Sequence, residues 1–96
     1  MMREMDPRVR RAVLEKIEAV VADPSEVRTI LKRLDTVRVS NDDHFALGIA
    51  LGRIYNSFHY QSRRTLKRNA TEKEFAEFLE ILRENAAAVR AALERR

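Results

Sequence analysis

The sequence contains no cysteine, which excludes disulfides and thiolate metal sites alike. Its two histidines, His44 and His59, have no zinc-binding spacing, so no metal and no cofactor is expected. Only two glycines and two prolines occur in 96 residues, so little interrupts a helix. No uncharged stretch is longer than His44 to Gly52, far below the ~20 residues that cross a bilayer. A membrane partner is therefore not expected. The start, Met1-Met2-Arg3-Glu4, has no signal-peptide apolar run, and a cytoplasmic location is the expectation. One further absence is local: no acidic residue lies between Asp43 and Glu72.

Apolar residues make up 45% of the chain and charged residues 35%, the balance of an ordinary folded domain and not of a disordered one. The length allows one domain, residues 1–96, with a small core. Four helices are marked by their starts, over about 7–22, 24–35, 42–68 and 72–95. Asp6-Pro7 and Asp23-Pro24 each place a capping carboxylate before a proline, with Glu26 at a capping-box position after the second. Asn41, Asp42 and Asp43 suit a helix N-terminus, and His44 belongs to that polar start. Thr71-Glu72-Lys73-Glu74 is a full capping box with Phe75 at the staple position.

Helix one carries Val9, Val13, Ile17 and Val20 on one face, and helix two Val27, Ile30, Leu31 and Leu34. Thr36 to Val39 reads as an extended linker. Helix four repeats Phe75, Leu79, Leu82, Ala86, Val89 and Leu93 at coiled-coil steps. Asn69 and Ala70 alone separate helices three and four, with Asn69 suited to a left-handed helix end, so the two form an antiparallel pair. The fold expected is all-α: a four-helix, up-and-down, bundle-like domain dominated by this long hairpin.

Helix three divides into two halves. In the first, Phe45, Ala46, Leu47, Ile49, Ala50, Leu51 and Ile54 surround the axis, as in the central helix of a bundle or one shared with a second subunit. Gly48 and Gly52 share one side, continued by Tyr55 and His59. Each mid-helix glycine costs about 1 kcal/mol relative to alanine, so close approach of another helix, from this chain or a partner, is expected there. These four residues are the candidate oligomer interface of a homodimer, together with the Ala-rich face of helix four.

The second half is basic. Arg53, Arg63, Arg64, Lys67 and Arg68 give the acid-free stretch a charge of +5, while the rest of the chain has 14 basic against 15 acidic residues. Arg53, Tyr60, Arg64 and Lys67 fall along one stripe, bordered by Arg63 and Arg68. Cations at phosphate spacing beside a flat ring suit RNA or single-stranded nucleic acid. The opposing reading is structural. Cations are favoured at a helix C-terminus, and Glu72, Glu74, Glu77, Glu80 and Glu84 follow across the turn. A protein–protein adaptor or oligomeric scaffold without nucleic-acid binding is the corresponding alternative.

Arg53, five intervening residues and then His59 on a helix resembles the arrangement in the small helical HEPN ribonucleases. That resemblance implies RNA cleavage, with His59 moving a proton and Arg53 stabilising a pentacoordinate phosphate. A six-residue step leaves two side chains ~120° apart on a helix, so the pair would meet around a substrate only with a second subunit. No independent feature supports enzyme activity.

Overall fold

The computed structural model describes residues 4–94 and contains four helices there: α1 (Pro7–Ala22), α2 (Ser25–Arg33), α3 (Asp42–Leu66) and α4 (Glu72–Glu94). The architecture is the expected all-α bundle. α1 packs against both α3 and α4, and α2 rests chiefly on α3. The molecule measures 40 × 22 × 21 Å, and the 25 residues of α3, at about 1.5 Å each, span nearly its full length.

α1 begins as its sequence dictates. The Asp6 carboxylate accepts from the Arg8 N–H at 2.8 Å and from the Arg8 guanidinium at 3.0 and 3.1 Å. The guanidinium hydrogen bonds, with the Arg8 N–H behind them, pull the Asp6 carboxyl down to about 2. Val9, Val13, Ile17 and Val20 are all buried, as their spacing predicts. Glu77 of α4 then clamps the start of α1 to the turn end of the hairpin. It accepts from the backbone N–H groups of Glu4 and Met5 and from Arg10 at 2.9 Å.

α2 is shorter than its pattern suggests. Asp23 accepts from the Ser25 N–H at 3.1 Å, which makes Pro24 the residue at the cap. Glu26 completes no capping box, because it reaches α3 and pairs with Arg53 at 3.1 Å. The helix ends at Arg33, and Leu34 lies 40% exposed in the following turn, where no neighbouring helix buries it. At the far end of the bundle Arg28 donates to the Ala92 carbonyl at 3.1 Å, tying α2 to the end of α4.

The hairpin turn also differs from its expected form. α3 stops at Leu66, and the left-handed residue is Lys67 (φ 57°), not Asn69. The connection therefore runs over 67–71. Its path is set from the α4 side, where Thr71 and Glu74 form the capping box at 2.7 and 3.1 Å. Arg68 folds back to bind Glu74 with two hydrogen bonds, at 2.8 and 3.1 Å. Anchoring Arg68 there takes the chain out of the helix two residues earlier than expected.

On α3 the buried line is Ala46, Ala50, Ile54, Phe58 and Ser62, one residue per turn. The Ser62 hydroxyl is satisfied by donating to the Phe58 carbonyl at 2.9 Å. Phe58 stacks on Phe78 of α4, with ring centres 4.4 Å apart and planes 7° from parallel. Burial of each such ring contributes about 1.5–3 kcal/mol. Of the expected α4 seam, Val89 and Leu93 are buried, whereas in the first half of the helix the buried line is displaced by one residue. Glu74, Phe78, Ile81, Val89, Ala92 and Leu93 are buried, whereas Leu79 is 44% exposed. α4 must face α1 as well as α3, and this turns its apolar arc away from a single-partner seam. The described residues end at Glu94, so the expected extension of the helix to Arg95 lies outside them.

Candidate nucleic-acid interface

The basic stripe separates into two groups once the helices are packed. Arg53 is paired with Glu26 and only partly exposed. Arg68 is held by Glu74, and the same contact keeps the Glu74 carboxyl below the ordinary carboxylate range. Arg63, Arg64 and Lys67 are exposed and make no ion pair among the described residues. Tyr60, one turn before Arg63 and Arg64, is 50% exposed. The glutamates across the turn do not reach these three cations. Glu74 serves Arg68, Glu77 serves Arg10, and Glu80 lies 3.8 Å from Arg83. Ion-pairing thus leaves the end of α3 with three free positive charges beside one exposed ring.

α1 extends this surface. A shallow groove between α1 and α3 is lined by Lys16, Gly48, Gly52, Arg53, Asn56 and Tyr60. It continues the stripe along α3 and adds Lys16, which carries no ion pair among the described residues. Sequence reasoning missed Lys16 because a charge on one helix gives no sign of the neighbour it will face. Asn56 was missed because a neutral amide adds nothing to a charge pattern. As chemistry, the groove offers cations and amide donors to phosphate oxygens and one ring for stacking on a base.

Of the candidate oligomer residues, Gly48, Gly52 and Tyr55 are exposed and His59 is partly buried. A Cβ built on either glycine meets nothing within 4 Å. Both line the α1–α3 groove, but no helix among the described residues packs directly onto them. Tyr55 is 46% exposed and turned towards α4, its ring 6.1 Å from Phe75. His59 is wedged among Tyr55, Phe58 and Phe75 at ring distances of 4.7, 5.0 and 5.8 Å. Its Nε2 is buried and has no hydrogen-bond partner. Arg53 faces α2 while His59 faces α4, so this chain does not bring the two together for phosphate chemistry. No group of His, Asp or Glu able to hold a metal occurs among the described residues. No helix among them is long and apolar enough to cross a membrane.

The sequence matches no family model. Neither a curated protein nor a solved structure matches the chain.

Proposed function

We propose that this chain is a small, self-associating helical binding module that engages RNA or single-stranded nucleic acid. The contact surface is the end of α3, Tyr60, Arg63, Arg64 and Lys67, extended by Lys16 across the α1–α3 groove. One observation carries this reading. Three neighbouring cations stay unpaired beside a half-exposed tyrosine, while Arg10, Arg53 and Arg68 are each taken by a glutamate. Unpaired cations are available to neutralise phosphates and so release the counterions condensed on the nucleic acid, and this release drives association. An exposed ring adds stacking that tolerates any base. A cytoplasmic setting accords with both the ligand and the absence of cysteine.

The test is a titration of a labelled single-stranded oligonucleotide at two salt concentrations. Four phosphate contacts, at about 0.7 released ions each, give a log–log salt slope near −3. Between about 50 and 200 mM salt, affinity should then fall roughly 50-fold. The double variant Arg64→Ser, Lys67→Ser should halve the slope and leave a fall of about 7-fold. Tyr60→Ala should weaken binding without changing the slope. Negligible binding to both single strands and duplex at the lower salt would sink the proposal, as would a slope unchanged in the double variant.

A further inference from the structure

We infer that the outer face of the α3–α4 hairpin, Leu51 and Tyr55 with Phe75, Leu79 and Leu82, is covered by a second copy of this chain. The inference is independent of the nucleic-acid reading. α4 carries two adjacent apolar seams; its own chain buries the inner one through Phe78, Ile81 and Val89 and covers the outer one only in part, at Phe75 and Leu82. The outer seam leaves Leu79 44% exposed and Phe75 and Leu82 half-buried. Tyr55, 46% exposed, joins that seam to α3 through its edge-on contact with Phe75. The patch is thus continuous across two helices.

Surface area and charge both favour a second copy as the occupant. The chain exposes 6897 Å², whereas a compact monomer of 11.2 kDa exposes about 5,700 Å². The radius of gyration, 14.3 Å, likewise exceeds the ~12.5 Å of a compact chain this long. The excess of about 1,200 Å² matches what one subunit buries in a stable dimer, about 800 Å² or more. Charge then selects the face. On the outer side of α4, Arg83 lies beside Glu80 and Arg90 is bonded to Glu94 at 3.1 Å, so the rim is neutral and can meet a copy of itself. The basic end of α3 would repel its own copy. Tyr60 lies about 140° around the helix from Tyr55, so the dimer leaves both basic stripes open to solvent.

Sedimentation velocity on the full chain across the micromolar range decides the matter. The expected mass is twice 11.2 kDa. Leu79→Glu and Tyr55→Glu should each give a monomer of unchanged helicity, because both side chains are exposed within the subunit. Leu34→Glu, at a comparably exposed site away from the hairpin face, should leave the dimer intact. A second measurement needs no change in assembly. In a chain without native cysteine, Leu79→Cys should react with maleimide more slowly than Leu34→Cys, whose site is comparably exposed within the subunit. A monomeric wild-type chain throughout, or a dimer insensitive to both glutamate variants, overturns the inference. Maleimide labelling of Leu79→Cys as fast as that of Leu34→Cys does so equally.

Discussion

Replacing Glu74 by alanine tests the logic of the hairpin turn most directly. Glu74 is 4% exposed, the one buried acidic side chain among the described residues. Its carboxylate accepts from the Thr71 N–H at 2.7 Å and from Arg68 at 2.8 and 3.1 Å. The Thr71 hydroxyl cap survives, because it accepts from the backbone N–H of residue 74; losing the acceptor of the Thr71 N–H costs about 1 kcal/mol, and losing the Arg68 hydrogen bonds about 1 more. For a chain of this size each kcal/mol moves the melting midpoint by about 4–8 °C, so a fall of roughly 8–16 °C is expected. Glu74→Gln keeps the shape and can still accept from Thr71, but it offers an amide NH₂ to Arg68. Its loss should be intermediate. Hydrogen bonds from Arg68, opposed by burial and helped by Thr71, hold the Glu74 carboxyl below its ordinary 4.5. The stability linked to this shift is fully present above that ordinary value and is lost as pH falls through the depressed one. The gap between wild type and the alanine variant should therefore be widest at neutral pH and narrow in acid. Urea denaturation followed by far-UV circular dichroism, at neutral pH and well below 4.5, measures both quantities. A neutral-pH difference under about 0.5 kcal/mol, or a gap that does not narrow on acidification, would refute the reasoning.

Three further substitutions probe the helix backbone. Lys67 occupies the left-handed region at φ 57°, a conformation that costs an L-residue roughly 1–2 kcal/mol. Lys67→Gly should raise stability by about 1 kcal/mol in chemical denaturation while removing one phosphate contact, so stability and oligonucleotide affinity should move in opposite directions. Gly48→Ala and Gly52→Ala meet no neighbouring atom, and each should stabilise the chain by about 1 kcal/mol through helix propensity. If calorimetry showed a loss at either position, a backbone would have to press on α3 there.

The structure reproduces those features whose cause is local. Asp6-Pro7 and Thr71 with Glu74 start helices because the cap, its acceptor and the orphan N–H lie within three residues of one another. Val9, Val13, Ile17 and Val20 are buried because α1 has a single narrow apolar face that can point only one way. α4 behaves differently. Its apolar residues cover a wide arc, and the 75-79-82 and 74-78-81 lines are both consistent with a 3.6-residue period. The side facing α1 selects the second line and leaves Leu79 outside. The turn shows the same limit. Asn69 is a suitable left-handed residue by type, but the reach of Arg68 to Glu74 moves that conformation to Lys67.

By itself, then, the sequence determined four helices, their starts, the core line of α1 and a concentration of positive charge in α3. Which of those charges remain usable was decided only by tertiary structure. Glu26 of α2 takes Arg53, Glu74 takes Arg68, and α1 brings Lys16 alongside Tyr60. Helical periodicity says which way a side chain points. Whether an opposite charge waits there depends on another helix, and no pattern within α3 contains that information.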